Sequence, residues 1–537
     1  MPIKRCYCIV WLILIVSQGT SYSQQPYFYS DSFTIEKNER WYGAAVNEGH
    51  KMPFKEGYSL NLYGNNVGNQ VSPFLVSSAG RFIWSEEPIE FSFHNNMLVV
   101  NSMKQIKPER GGSTLAEAYE AGSKNFPFNG KTPDLSLFES PQYNTWIELN
   151  YNQNQVDVLK YAHAIIDNGF PPGVLMIDDS WAPYYGRFEF RKDRFPDAKK
   201  MMDELHALGF KVMVWVCPFI SPDTEEFRYL LKERLILFDN KGDSSITYKD
   251  AKEPLLVNWW NGYSAELDFT NAATVIWMQQ QLDTLQGRYG VDGFKFDAGD
   301  MEYYPVNTLS FKKVTANEHC ELWGEFGLKY PLNEYRAMWK RGGQPLAERL
   351  RDKEHTWEDL QKLIPHSITS GLLGYAFVCP DLIGGGELGS FMGKTELDED
   401  LVVRSAQCSA LMPMMQFSAA PWRVLDSVHF DAVKKAVIIR KQLTPYIREL
   451  TKKAAQTGKP IVKNMEYVFP HEGMESVTGQ FMLGDKYLVA PVVEKGNSKT
   501  VIFPKGRWKR ANGKMIKGPL KKQFTVPIDV LLWFERV

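Results

Sequence analysis

The chain has 537 residues, of which 44% are apolar and 23% charged, and its formal net charge is -1. That length exceeds one simple core and suggests about three domains, or one large barrel with appendages. Lys and Arg number 62 against 63 Asp and Glu. No basic block is dense enough to follow a phosphate backbone, so nucleic acid is excluded as an expected partner.

The first residues carry the marks of a secretory signal. Lys4 and Arg5 form a basic start, Cys6 to Val16 an apolar run, and Ser21-Tyr22-Ser23 a small-residue cleavage site before Gln24. The run is too short to span a bilayer comfortably. No cysteine follows it where a lipid would be attached. The expectation is a signal over 1–23 and a soluble exported protein, periplasmic or secreted, without a membrane span in the mature chain; an uncleaved anchor is the alternative. Cys6 and Cys8 would leave with the signal. Cys217, Cys320, Cys379 and Cys408 remain as scattered singles, for which no disulfide is expected.

Residues 24–135 read as a β-sandwich, with short alternating runs broken by Gly, Asn and Pro, such as Gly80-Arg81-Phe82-Ile83-Trp84 and Ile89-Glu90-Phe91-Ser92-Phe93. After about Thr145 the rhythm becomes helix, Gly stop, apolar strand. Val158, Leu159, Ala162, Ile165 and Ile166 share a helix face that stops at Gly169, before the strand Val174-Leu175-Met176-Ile177. The unit repeats through Lys211 to Val216, Gly293 to Phe296 and Gly374 to Cys379. This is a parallel sheet with helical crossovers. A doubly wound sheet would also gather polar residues at strand C-termini, but roughly 290 residues of this rhythm favour a (β/α)8 TIM barrel. The barrel is placed at 136–440 and a C-terminal β-rich domain, read as a second sandwich, at 441–537. The fold class is therefore α/β, a barrel flanked by two β domains.

The run Gly293-Phe294-Lys295-Phe296-Asp297-Ala298-Gly299-Asp300 is the richest in chemistry. In an extended strand Phe294 and Phe296 share one side and Lys295 and Asp297 the other. Burying that cation and carboxylate is costly unless they are paired or have a function. Cleaving an acetal requires two carboxyl groups across the bond, and Asp297, kept ionised by Lys295, suits the attacking one. A structural Lys-Asp pair is the plainer reading.

Asp178-Asp179-Ser180-Trp181 offers adjacent acceptors and an aromatic plane, matching the vicinal hydroxyls and apolar face of a hexose; Asp pairs also cap helices and start turns. Trp215 could stack on the same sugar or simply fill the core. Gly384 to Thr395 lacks the glycine spacing of a phosphate loop, since Leu388 stands where Gly is required. Its glycines are expected to let a loop pass close to a ligand or another backbone. The few scattered histidines give no metal-ligand spacing, so no metal is expected.

With those motifs set out, the chain resembles glycoside hydrolase family 31, in the branch that contains the myogenesis-regulating glycosidase. The resemblance runs from Ser78-Ala79-Gly80-Arg81-Phe82-Ile83-Trp84 to Phe503-Pro504-Lys505-Gly506-Arg507-Trp508. It is most specific at Phe294 to Gly299, at Arg349-Leu350-Arg351-Asp352, and at Leu373 to Asp381 with the glycines that follow. It implies that Asp297 is the catalytic nucleophile and Asp352 the general acid/base. It further implies Asp178 at the floor of the sugar site, Arg341 or a neighbour reaching a hydroxyl or the nucleophile, and Asp381 completing the rim. Arg349, Arg351 and Lys353 crowd Asp352 with positive charge, so burial or the charge on Asp297 must keep it protonated.

The expected activity is a retaining α-glycosidase that acts on an oligosaccharide or glycoside substrate without a cofactor. Typical α-glucosidases of the family carry an aromatic where this chain has Lys295. Lys two residues before the nucleophile, with an Asp-Asp-x-Trp strand end, is similar to α-galactosidases of related barrel families, so α-galactoside is the expected substrate. An α-glucosidase, a transglycosylase, a lyase and a non-catalytic carbohydrate-binding protein are the rivals.

Overall fold

Eight short strands, each followed by a polar or glycine-rich rim segment, close a parallel barrel. They are β1 (Gln142–Asn144), β2 (Val174–Ile177), β3 (Lys211–Val216), β4 (Gly293–Phe296), β5 (Asn333–Tyr335), β6 (Glu348–Arg349), β7 (Val378–Cys379) and β8 (Gln416–Phe417). The computed structural model describes residues 27–394 and 396–537, so the secretory-signal reading over 1–23 lies outside the described residues. Each strand pairs in parallel with the next, β8 pairs with β1, and a bridge from Leu382 to Gln416 joins the rim of β7 to β8.

The helices begin and end where side chains satisfy their terminal backbone groups. Asn154 caps α1 (Gln155–Asp167) and Asp197 caps α2 (Ala198–Ala207). Helix α3 (Ala272–Tyr289) stops at Gly290, whose φ of 86° an L side chain rarely adopts. A capping box starts α4 (Ala316–Gly327), the Thr356 hydroxyl caps α5 (Trp357–Leu372), and Asp398 and Asp426 cap α6 (Glu399–Ala410) and α7 (Ser427–Thr457).

Two departures from the simple barrel shape the rim. After β3 an insertion forms a three-stranded antiparallel sheet whose hairpin, Leu256–Trp259 and Gly262–Glu266, turns at Trp260 and Asn261. Between β5 and β6 no helix intervenes. Met338–Trp339 instead leaves the barrel and pairs in parallel with Gln70–Val71 of the N-terminal domain.

That domain consists of two sheets: four strands in 29–102, and strands 41–45, 70–77, 81–84 and 109–110 together with Met338–Trp339. One continuous apolar core runs from Trp41 and Phe74 through the barrel to α7, whereas the C-terminal domain has its own around Met465, Phe503, Trp508 and Phe534. The C-terminal sheet has six strands, all antiparallel. Cys217, Cys320, Cys379 and Cys408 are buried and free. Among the described residues no helix is long and apolar enough to cross a membrane.

Candidate active site

Strand β4 delivers Lys295 to the barrel interior and Asp297 to its C-terminal rim. Both are buried. Asp297 Oδ1 accepts from Arg336 Nε at 2.8 Å, its Oδ2 accepts from Trp215 Nε1 at 2.8 Å, and Lys295 Nζ stands 3.7 Å from Oδ2. Burial alone would raise the Asp297 pKa. The charges of Lys295, Arg336 and Arg349, with the indole hydrogen bond, overcome it and hold the carboxyl far below the usual range. The backbone then turns sharply, with Ala298 at φ 57° and Gly299 at φ 73°. A Cβ at Gly299 would lie 2.2 Å from Trp323, so only glycine fits. This turn brings Asp300 back to the same guanidinium that Asp297 uses: Arg336 NH2 bonds Asp300 Oδ2.

Asp178, just past β2, accepts from Lys295 Nζ at 3.0 Å and from Asn144 Nδ2 at 2.8 Å. Lys295 thus bridges Asp178 and Asp297, which offsets the cost of burying all three. Asp179 points toward the insertion. It accepts from the Tyr185 hydroxyl at 3.0 Å and from Asn261 Nδ2 at 2.8 Å, and Tyr151 from the β1 rim donates to Asn261 Oδ1 at 3.0 Å. Burial, reinforced by Asp178, pushes the Asp179 carboxyl up to about 7.

At the β6 and β7 rims one guanidinium gathers three carboxylates. Arg349 NH1 reaches Asp352 Oδ1 at 2.5 Å and Asp381 Oδ1 at 2.6 Å, while its Nε lies 3.3 Å from Glu334 Oε1. Asp352 is partly open, its side chain 32% exposed. Asp381 is fully buried, and burial pushes it up to about 7, with Arg349 opposing and Asp352 adding to the rise. The backbone N–H groups of Lys353 and Gly386 donate to Asp381 Oδ2. The glycine run lets this loop close in. A Cβ at Gly385 would meet the Lys353 carbonyl at 2.5 Å, and one at Gly386 would meet Asp352 Oδ1 at 2.7 Å.

Two expected site residues stand elsewhere. Arg341 does not approach Asp297. By that point the chain has left the barrel through Met338–Trp339, and Arg341 pairs with Glu321 at 2.8 Å and with Glu325, both on α4. Arg336, five residues earlier, makes the contact instead. Trp181 offers no open face. The residue is 2% exposed, its ring packs on Phe190, and its N–H donates to the Trp215 carbonyl at 2.7 Å, tying the β2 rim to β3. Trp215 acts through its N–H on Asp297, and the open aromatic is Trp260 at the hairpin tip, 47% exposed, with the Arg336 guanidinium 5.2 Å over its ring.

Glu399, Asp426 and His429 place donor atoms within 4.8 Å of one another at the starts of α6 and α7. There His429 hydrogen-bonds Asp426 and Asp400. These residues lie on helix termini, apart from Asp297 and its partners.

The profile of the glycosyl hydrolases family 31 TIM-barrel domain matches residues 141–450, and that of the family's C-terminal domain matches 458–536. The chain belongs to glycoside hydrolase family 31. The myogenesis-regulating glycosidase of Mus musculus is 33% identical over 420 residues, 75% of this chain and 57% of that protein. Alpha-glucosidase 2 of Bacillus thermoamyloliquefaciens is 24% identical over 387 residues, 66% of this chain and 47% of that one. The chain thus spans about half the length of the curated relatives it matches. In fold it resembles a Flavobacterium johnsoniae GH31 dextranase complexed with glucose, with a TM-score of 0.82 and 18% identity over 94% of this chain and 66% of that one. A GH31 alpha-xylosidase from a soil metagenome, complexed with xylose, gives 0.80 and 20% over 94% and 79%.

Within this family 31 barrel, sequence reasoning passed over Arg336, Tyr185, Asn261 and Trp260, and treated Arg349 only as an awkward neighbour of Asp352. Arg336 did leave a signal. It stands two positions beyond Glu334 at the end of β5, the same alternation that singled out Lys295 and Asp297.

Proposed function

We propose that the protein is a retaining α-glycosidase working by double displacement. Asp297 attacks the anomeric carbon while Asp352 protonates the departing oxygen. Asp352 then takes a proton from water as the glycosyl-Asp297 ester is hydrolysed, and the sugar leaves with its original configuration. The observation that carries this reading is the environment of Asp297, a buried carboxylate held ionised by Lys295, Arg336 and the Trp215 N–H at the end of β4. Asp352 supports it, being the partly open carboxyl on a neighbouring rim loop, joined through Arg349 to Asp381.

The favoured substrate is a terminal α-galactoside. The reason is Lys295, paired with Asp178 at the floor of the site, where typical α-glucosidases of the family carry an aromatic. The α-glucoside reading has its own support in the relative named alpha-glucosidase 2. Export is part of the proposal and rests on the signal-like residues 1–23.

A panel of aryl α-galactosides, α-glucosides and α-xylosides, with the product anomer followed by NMR, tests the reading. Cleavage with retention that disappears in Asp297→Ala and in Asp352→Ala, and returns as a glycosyl azide when azide is added to Asp352→Ala, is the expected result. Normal rates in Asp297→Ala would overturn it, and sugar binding without turnover across the panel would replace it with a carbohydrate-binding role.

A further inference from the structure

Between the N-terminal strands Ser59–Asn61 and Gln70–Ser77 runs a loop rich in Asn and Gly, Gly64-Asn65-Asn66-Val67-Gly68-Asn69. Its backbone is left-handed at Gly64, Val67 and Gly68, which curls it tightly against the barrel rim. Asn66 Nδ2 donates to Asp300 Oδ1 at 2.7 Å, across 234 positions of sequence. Asn69 Nδ2 donates to the carbonyls of Arg336 at 2.9 Å and Arg349 at 3.1 Å, and Gln70 Nε2 reaches the same two carbonyls at 2.8 and 3.1 Å. Asn66, Asn69 and Gln70 are all buried. Gly68 packs against Arg351, since a Cβ there would stand 3.0 Å from the Arg351 guanidinium. These contacts end on Arg336, which touches Asp297, on Arg349, which touches Asp352, on Arg351, the chain neighbour of Asp352, and on Asp300, which holds Arg336.

We propose that this N-terminal loop is a positioning element for the nucleophile: Asn66 holds Asp300, Asp300 holds Arg336, and Arg336 holds Asp297 Oδ1. The role as nucleophile rests on the reading given under Proposed function, whereas the chain of contacts does not. The Arg336 guanidinium meets three groups at once, Asp297 through Nε, Asp300 through its terminal nitrogen, and the open Trp260 ring beneath its plane. Fixing Asp300 from outside the barrel pins the far end of that guanidinium, and so the direction in which its Nε faces Asp297. The carboxylate is thereby held at one orientation between two donors, Arg336 Nε and Trp215 Nε1, leaving little rotational freedom to lose on attack.

A double-mutant cycle on the full-length protein tests this. Asn66→Ala is expected to lower kcat by about tenfold with KM within about twofold. In an Arg336→Gln background the same substitution is expected to change nothing further. Equal losses in both backgrounds, with all variants folded by circular dichroism, would make the loop mere domain packing and overturn the proposal.

A second readout needs no turnover. With 15N-indole labelling, the Trp215 Nε1–H resonance, assigned through Trp215→Phe, reports on Asp297 directly. It should move in Asn66→Ala but not when the same change is made on Arg336→Gln. An unmoved resonance in Asn66→Ala overturns the positioning role even if the enzyme is active. A coupled shift in a protein that cleaves no glycoside sustains the positioning role and retires the glycosidase reading.

Discussion

Replacing Asp179 by Asn should stabilise the protein above neutral pH and leave it unchanged in acid. The Asp179 carboxyl rises from an ordinary value near 3.9 to about 7 on folding, so the folded state binds a proton more tightly than the unfolded one. Below pH ~4 both states are protonated and the group contributes nothing. Between ~4 and 7 the unfolded chain ionises first and stability falls, and above 7 the loss is complete. Roughly three units at ~1.4 kcal/mol each put that loss on the order of 4 kcal/mol. Asn carries no charge and can still serve both neighbours, accepting from Asn261 and donating to the Tyr185 oxygen. Imperfect geometry subtracts from the gain, so about 2–4 kcal/mol is expected at pH 8. Urea unfolding of both proteins at pH 4.5 and pH 8 measures it. A difference independent of pH, or a variant less stable than wild type at pH 8, would refute the electrostatic argument. The same variant should lose about 10- to 100-fold in kcat/KM if Asp179 receives a sugar hydroxyl.

Four further outcomes follow from the geometry. Arg341→Ala, which removes only a partly exposed pairing with α4, should leave kcat/KM within about twofold and stability within about 1 kcal/mol, as steady-state kinetics and thermal melting would show. Gly386→Ala would set a methyl 2.7 Å from Asp352 Oδ1 and 2.6 Å from Asp381 Oδ1; turnover of a substrate with a poor leaving group should fall far more than that of an activated aryl glycoside, because acid assistance is what is displaced. Lys295→Met strips Asp178 and Asp297 of a shared cation and should cost about 3–5 kcal/mol in denaturant titration. Trp181→Phe keeps the packing on Phe190 but deletes the bond to the Trp215 carbonyl, which is worth about 1–2 kcal/mol by the same measurement.

How much of this was readable beforehand depends on sequence distance. Lys295 and Asp297 could be placed together because a strand alternates its side chains, and their strand could be placed in a parallel sheet because Gly290 and the helix before it mark the crossover. Asp178 could be drawn to the same rim as another strand end, although its bond to Lys295 spans 117 positions. Arg336 and Arg341 were confused because the position at which the chain leaves the barrel is set by the pairing of Met338–Trp339 with Gln70–Val71, a tertiary event with no local mark. Trp181 fits a sugar platform by composition, but whether an indole lies open or closed depends on Phe190 and Trp215. Asn66 was invisible for a related reason: an Asn in a Gly-rich stretch reads as a turn former, and only the folded chain shows what its amide meets.

The exchange of Met338–Trp339 into the N-terminal sheet also bears on how this chain can be cut and made. As the polypeptide emerges from the ribosome, strand 81–84 covers residues 74–76 on that side of the strand at 70–77, but Gln70–Val71 have no neighbour there until residue 339 has appeared, so the sheet must wait with a two-residue bare edge while most of the barrel is synthesised. A fragment ending near 135 would keep that edge permanently open to other chains. The stretch beginning at 136 would have a two-residue extension with nothing to pair against, and would lack the amides that Asn69 and Gln70 supply to its rim.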